Sequence, residues 1–167
     1  MDTKEIVTII TDFVRSIGIP VEFGPVPGGQ EFLPGLSIKN SGLLIDPDHV
    51  KYPGDILHEA GHLAVATPEK RSKMHGILGT GNDEDIGEEM MAIAWSYAAA
   101  RHLNIDPYIV FHKEGYKGGA AGIVKDFSEG RFFGVSTLQW IGLTYEPKNA
   151  KENNAEPYPH MIKWVRE

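Results

Sequence analysis

Apolar positions at the start of the chain repeat with a helical period: Ile6, Ile9, Ile10, Phe13, Val14 and Ile17 fall at i, i+3, i+4, i+7, i+8 and i+11. Gly18 then supplies a C-terminal stop. Between Pro20 and Gly35 proline and glycine dominate, which predicts irregular chain with a short strand at Val21–Phe23. Leu36–Lys39 and Leu43–Asp46 flank Asn40-Ser41-Gly42 and predict a hairpin, hence a small antiparallel sheet before residue 50. The pattern then turns helical. Pro53 suits the first turn of a helix with apolar positions at Ile56, Leu57, Ala60, Leu63 and Ala64, and Pro68 is expected to end it.

Residues 69–82 are polar and Gly-rich and predict a loop. Asp83–Asp85 place negative charge and capping side chains at the start of a long helix running to about Leu103. Asp106-Pro107 opens a short helical stretch that Gly115–Gly122 breaks, and two more short helices are expected at Ile123–Phe127 and Val135–Ile141. Lys148–Glu156 is polar and expected to be mobile, whereas Met161, Ile162, Trp164 and Val165 predict a final docking helix. Neither repeat nor linker interrupts the chain. The expected architecture is one α+β domain over residues 1–167, mostly helical, with a small sheet near its start.

Composition narrows the chemistry. Hydrophobic residues make up 41% and charged residues 23%, the balance of a folded globular chain. No apolar stretch approaches the length that spans a bilayer, and Met1-Asp2-Thr3-Lys4-Glu5 does not lead into a signal-peptide core, so a cytoplasmic location is expected. A net charge of −7, from 16 basic against 23 acidic residues, argues against nucleic acid as a partner. Without a single cysteine, thiolate catalysis, disulfides, iron–sulfur clusters and cysteine-based zinc sites are all excluded. Any transition metal must therefore be held by histidine, carboxylate and water.

One stretch meets that requirement. Ile56-Leu57-His58-Glu59-Ala60-Gly61-His62-Leu63 places His-Glu-x-x-His in a predicted helix. Positions i and i+4 differ by only about 40° around a helix axis, so both imidazoles project from one face, one turn apart. Two neutral rings on that rigid support are spaced to bind one metal ion. Glu59 points to one side of the metal, where a carboxylate serves as general base toward water in zinc hydrolysis. The bland alternative is an amphipathic helix whose histidines pack or face water. Intact apolar positions on both sides, and the small Ala60 and Gly61 that leave the metal face uncrowded, count against it.

A zinc site needs a third protein ligand and an open position. The extended metzincin pattern would require Gly at position 65 and His at 68, and the chain has Val65 and Pro68. Gly87-Glu88-Glu89-Met90-Met91-Ala92, at the start of an apolar helix, offers two carboxylates about 100° apart around the axis. Glu89 is favoured because Ala92, one turn later on its face, permits close approach to the motif helix; Glu88 is the alternative.

These residues give the chain its resemblance to the gluzincin-type zinc metallopeptidases, and among them to the short ImmA/IrrE-like and minigluzincin families. His58-Glu59-Ala60-Gly61-His62 and Glu89-Met90-Met91-Ala92, the latter similar to a Glu-x-x-Ala signature, carry the likeness over roughly residues 53–100. The resemblance implies Zn²⁺ held by His58, His62 and Glu89, water activated by Glu59, and a peptide or protein substrate. Its implied fold is a small twisted sheet packed on the active-site helix, with a second helix supplying the glutamate. Many relatives carry Asp or Asn directly after the alanine to orient a ligand; here the residue is Ile93, which leaves that task to another residue or orients the histidines differently.

A donor for a developing oxyanion is sought in Phe111-His112-Lys113-Glu114-Gly115-Tyr116, where His112 and Tyr116 lie beside glycine; the competing reading is an ordinary surface loop. His75 is expected in solvent, His102 at a helix C-terminus, and His160 near the cleft only if the C-terminal segment folds over it. Trp95, Tyr97, Phe132, Phe133, Trp140 and Trp164 are expected in the core. Gly79-x-Gly81-x-x-Glu84 lacks the third glycine of a dinucleotide fingerprint, and Gly118-Gly119 lacks the sequel of a phosphate loop. The expected function is thus a zinc-dependent hydrolase of the metallopeptidase kind. The other class in play is a metal-stabilised sensor or protein-binding module without peptidase activity.

Overall fold

A computed structural model describes residues 1–27, 33–76 and 84–167. The amphipathic start forms α1 (Thr3–Ser16), whose first turn is capped by Asp2 accepting from the Glu5 amide at 2.8 Å. Its buried face, Ile6, Val7, Ile10, Phe13 and Val14, turns toward the core, and Gly18 at φ +90° stops it. Strands β1 (Val21–Phe23), β2 (Leu36–Lys39) and β3 (Gly42–Ile45) follow. The expected hairpin forms between β2 and β3. Lys39 pairs with Gly42 across a two-residue turn, and Asn40 and Ser41 both take the positive φ that such a turn demands.

The sheet is not wholly antiparallel. β1 joins the far edge of β3 in parallel, pairing Val21 with Leu43 and Phe23 with Ile45, so the order is β1-β3-β2. The central position of β3 explains why Leu43, Leu44 and Ile45 are all buried: both faces of that strand are covered.

Helices α2 (Gly54–Val65) and α4 (Glu84–His102) form the centre of the molecule and pack along each other more extensively than any other pair. α2 also touches α1, β2 and β3, so it is enclosed, and Ile56, Leu57, Ala60, Leu63 and Ala64 are fully buried. From Met91 to Ala100 every residue of α4 is buried, on all faces, because α2, α5 (Pro107–Val110), α7 (Val135–Trp140) and the C-terminal segment surround it. Small residues set the spacing of the pair. A Cβ on Gly61 would stand 3.0 Å from the Ala92 carbonyl oxygen and 3.2 Å from Ser96 Oγ. At Gly54 the constraint is harsher, since an added Cβ would overlap the backbone of Ile109 and Val110, which cannot rotate aside. Gly54→Ala is therefore expected to lower unfolding stability by about 3 kcal/mol, read as a shift of the urea midpoint.

Several expectations are corrected. Pro68 does more than end α2: with Thr67 as N-cap it opens α3 (Pro68–Arg71), so the expected loop starts later. A 3₁₀ turn at Tyr116–Gly118 and α6 (Ala120–Ser128) replace the break expected over Gly115–Gly122, and Gly122 lies inside that helix. The polar stretch expected to be mobile forms α8 (Pro147–Glu152), opened by proline in its first turn. Conversely, the expected docking helix around Met161–Val165 does not form; the segment is a strap bridging Thr144 to Met161. Trp164 packs edge-on against Phe13 and Trp95, and its carbonyl accepts from Trp95 Nε1 at 2.8 Å. Arg71 clasps the strap to the end of α2, donating to the carbonyls of Leu63, Ala66 and Arg166 at 2.6, 2.9 and 2.7 Å. Trp140 was expected in the core and is 79% exposed at the end of α7. The capping side chains expected at Asp83–Asp85 lie outside the described residues, as do Gly79 and Gly81. Among the described residues no helix is long and apolar enough to cross a membrane.

Candidate metal centre

The helical spacing of the motif has its expected consequence. His58 and His62 project from one face of α2, with their Nε2 atoms 3.1 Å apart. Glu89 reaches them from the first turns of α4, placing Oε1 3.4 Å from His58 Nε2 and Oε2 3.0 Å from His62 Nε2. The neighbouring carboxylate goes elsewhere: Glu88 pairs with Lys70 of α3 at 2.5 Å. Between the two glutamates left open by spacing, the structure brings Glu89 to the histidines.

The donor set fits a small divalent cation. Tetrahedral zinc with bonds of about 2.0–2.1 Å holds its ligand atoms about 3.3 Å from one another. The two imidazole nitrogens, 3.1 Å apart, stand close to that spacing, and one ligand atom from each of the three residues lies within 4.8 Å of the others. A proton between the two imidazoles would satisfy one pair of nitrogens, whereas a cation would satisfy both rings and the carboxylate together. Two imidazoles and a carboxylate also suit a first-row transition metal better than calcium or magnesium, which prefer all-oxygen shells. His58, His62 and Glu89 thus form a group able to hold a metal ion.

Glu59 is 3% exposed, and its Oε2 has no hydrogen-bond partner. Burial lifts its carboxyl above the ordinary value, with His58 and His62 pulling the other way, so this carboxylate is a better base than an exposed one. Glu89 is the opposite case. Burial would raise it, but hydrogen bonds to His58 and His62 and their charge overcome that and hold it well below the ordinary range. Two carboxylates in one site are thereby set apart, Glu89 shifted toward the anion and Glu59 toward the neutral acid.

Of the two residues proposed as oxyanion donors, Tyr116 stands at the centre. Its ring meets His58 edge-on, 5.4 Å between centroids, and its hydroxyl is buried without a partner. Tyr116 and Lys117 both have positive φ, 56° and 51°, an arrangement that costs energy in a non-glycine pair and fixes where the ring lies. His112 is committed instead. It stacks on Tyr52 at 4.0 Å between centroids, and its Nε2 bonds Asp55 Oδ1 at 2.9 Å. Among the described residues the buried side-chain polar atoms without a partner are His58 Nδ1, Glu59 Oε2, His112 Nδ1 and Tyr116 Oη, and all four belong to this neighbourhood. The remaining histidines stand apart: His49 pairs with Asp46, His75 is exposed, and His102 and His160 border a different groove with Trp164.

Asp55 escaped the sequence reading. The signal was present, for Asp55, His58 and His62 fall at i, i+3 and i+7 on one helical face. Its partner His112, distant in sequence, is what gives that position meaning. Ile93 is 7% exposed in the core, and no described residue accepts from His58 Nδ1. No protein-family model, no curated protein and no solved structure matches this chain.

Proposed function

We propose that this chain is a zinc-dependent hydrolase, a metallopeptidase with Glu59 as general base. The observation that carries the reading is the convergence of His58 Nε2, His62 Nε2 and the Glu89 carboxylate beside a buried, unpartnered Glu59 oxygen. A divalent cation held by those three side chains would supply Lewis acidity, lowering the pKa of water toward about 7 and polarising a carbonyl. Glu59 takes a proton from the attacking water as the carbon–oxygen bond forms. It returns that proton to the amide nitrogen as the carbon–nitrogen bond breaks, so one water is consumed per bond cleaved. The Tyr116 hydroxyl, held in place by its loop, donates to the oxygen that gains charge.

The test is direct. The purified, zinc-loaded chain is incubated with a diverse peptide mixture and cleavage is read by mass spectrometry, with ¹⁸O entering the new carboxyl terminus. Cleavage is expected to stop on chelation and return with zinc. A chain that carries zinc and leaves every peptide intact would overturn the peptidase reading and favour the metal-stabilised binding module.

A further inference from the structure

Beside His58 a cavity of about 330 Å³ opens among three stretches of chain that come together only in the fold. Leu33, Pro34, Tyr52, Asp55, His112 and Tyr116 line it, as do Lys51 and Glu114. The Asp55 side chain is only 14% exposed. Its Oδ1 accepts from His112 Nε2 at 2.9 Å, while Oδ2 has no bond and is not among the sealed atoms, so it remains open. An ionised Asp55 only accepts, which fixes the proton of a neutral His112 on Nε2 and leaves Nδ1 as a bare lone pair. Tyr116 adds a buried hydroxyl without a partner. Asp55 Oδ2 is therefore the open acceptor, since His112 Nδ1 and Tyr116 Oη are sealed from solvent. Lys51 also lines the cavity, with its Nζ over the Tyr52 ring, 5.0 Å from the centroid.

We propose that this cavity is a substrate subsite for a primary ammonium group, held by Asp55 Oδ2 against the wall formed by the stacked Tyr52 and His112. The geometry selects ammonium over guanidinium. A guanidinium fork binds best to both oxygens of a carboxylate, and His112 already occupies one of them. An ammonium needs only a single charged acceptor. Glu114 and Lys51, which also line the cavity, offset each other in charge, so the selection rests on Asp55. On a peptide this group is either the chain's own amino terminus or a lysine side chain. The inference rests on the peptidase reading only for the molecule that carries the ammonium.

The test uses the whole zinc-loaded chain and small probes, with no turnover required. Titration calorimetry is expected to show n-butylammonium binding, with n-butylguanidinium and n-butanol each about tenfold weaker or undetectable. Asp55→Asn, which keeps shape and the His112 contact, should weaken n-butylammonium about tenfold. Circular dichroism and zinc content report whether this variant is folded, and the wild-type probe series decides the matter if Asp55→Asn is not. Two peptide pairs name the source: a peptide against its N-acetylated form, and an internal lysine against norleucine. Loss of affinity within either pair supports the subsite. Equal binding of n-butylammonium and n-butanol, or no change within both pairs, overturns it. Ammonium binding without peptide cleavage sinks the peptidase reading alone, and cleavage without cation preference sinks this one alone.

Discussion

Glu59→Gln is expected to keep one zinc per chain and to lower kcat on any cleaved peptide by about 10²–10⁴-fold, the usual contribution of a positioned general base. The size of the effect follows from burial. Glu59 is 3% exposed beside the histidines, with an oxygen that makes no other bond, so no structural duty competes with proton transfer at that atom. Gln is nearly isosteric and does not accept a proton near neutral pH, so the fold and the three ligand side chains stay as they are. KM should change little, because the loss lies in a step made only in the transition state. Steady-state kinetics beside metal analysis provide the check. An unchanged kcat in a zinc-replete variant removes Glu59 from the mechanism; the metal-stabilised binding module makes that opposite prediction.

Zinc content should fall from about one per chain to near zero in His62→Ala and His58→Ala and drop strongly in Glu89→Gln, while Glu88→Gln retains the metal, given that three protein ligands are the minimum for such sites. Glu88 is the informative control. It is adjacent in sequence and identical in charge, yet it is tied to Lys70, whereas Glu89 stands 3.0 Å from His62 Nε2. The same series should register in stability. A ligand that binds only the folded chain adds about 4 kcal/mol at a thousandfold excess over its Kd, so chelation is expected to lower the wild-type Tm by several degrees and leave His62→Ala unmoved. Elemental analysis and thermal melts with and without chelator check both halves. Loss of zinc in Glu88→Gln with retention in Glu89→Gln would reverse the assignment.

What could be read from the chain alone was whatever depends on short-range periodicity. The apolar repeat of α1, the hairpin turn at Asn40-Ser41 and the one-turn spacing of His58 and His62 each involve residues a few positions apart, where backbone geometry alone sets direction. The same logic ranked Glu89 above Glu88 through Ala92, and Gly61 meeting the Ala92 carbonyl is the close approach that argument required. It failed where local pattern and tertiary context disagree. Met161, Ile162, Trp164 and Val165 have helical spacing, but the backbone of that segment bonds to Leu143 and to the end of α2 instead. Trp140 has the chemistry of a core residue and sits on the surface, because α7 ends there and its buried positions are Val135 and Leu138.

By itself, then, the sequence determined an α+β chain with two imidazoles on one face of a buried helix, a carboxylate beside them, and no thiol to compete for a metal. Only the tertiary structure decided which glutamate comes to those rings, that Tyr116 and not His112 leans on His58, and that Asp55 keeps one oxygen free beside the site. The reason is physical. Angular spacing along a helix is set by bonds within it, whereas the meeting of residues 55 with 112, 88 with 70, and 89 with 58 and 62 depends on how α2, α3, α4 and the loop after α5 pack, and no local repeat encodes those distances.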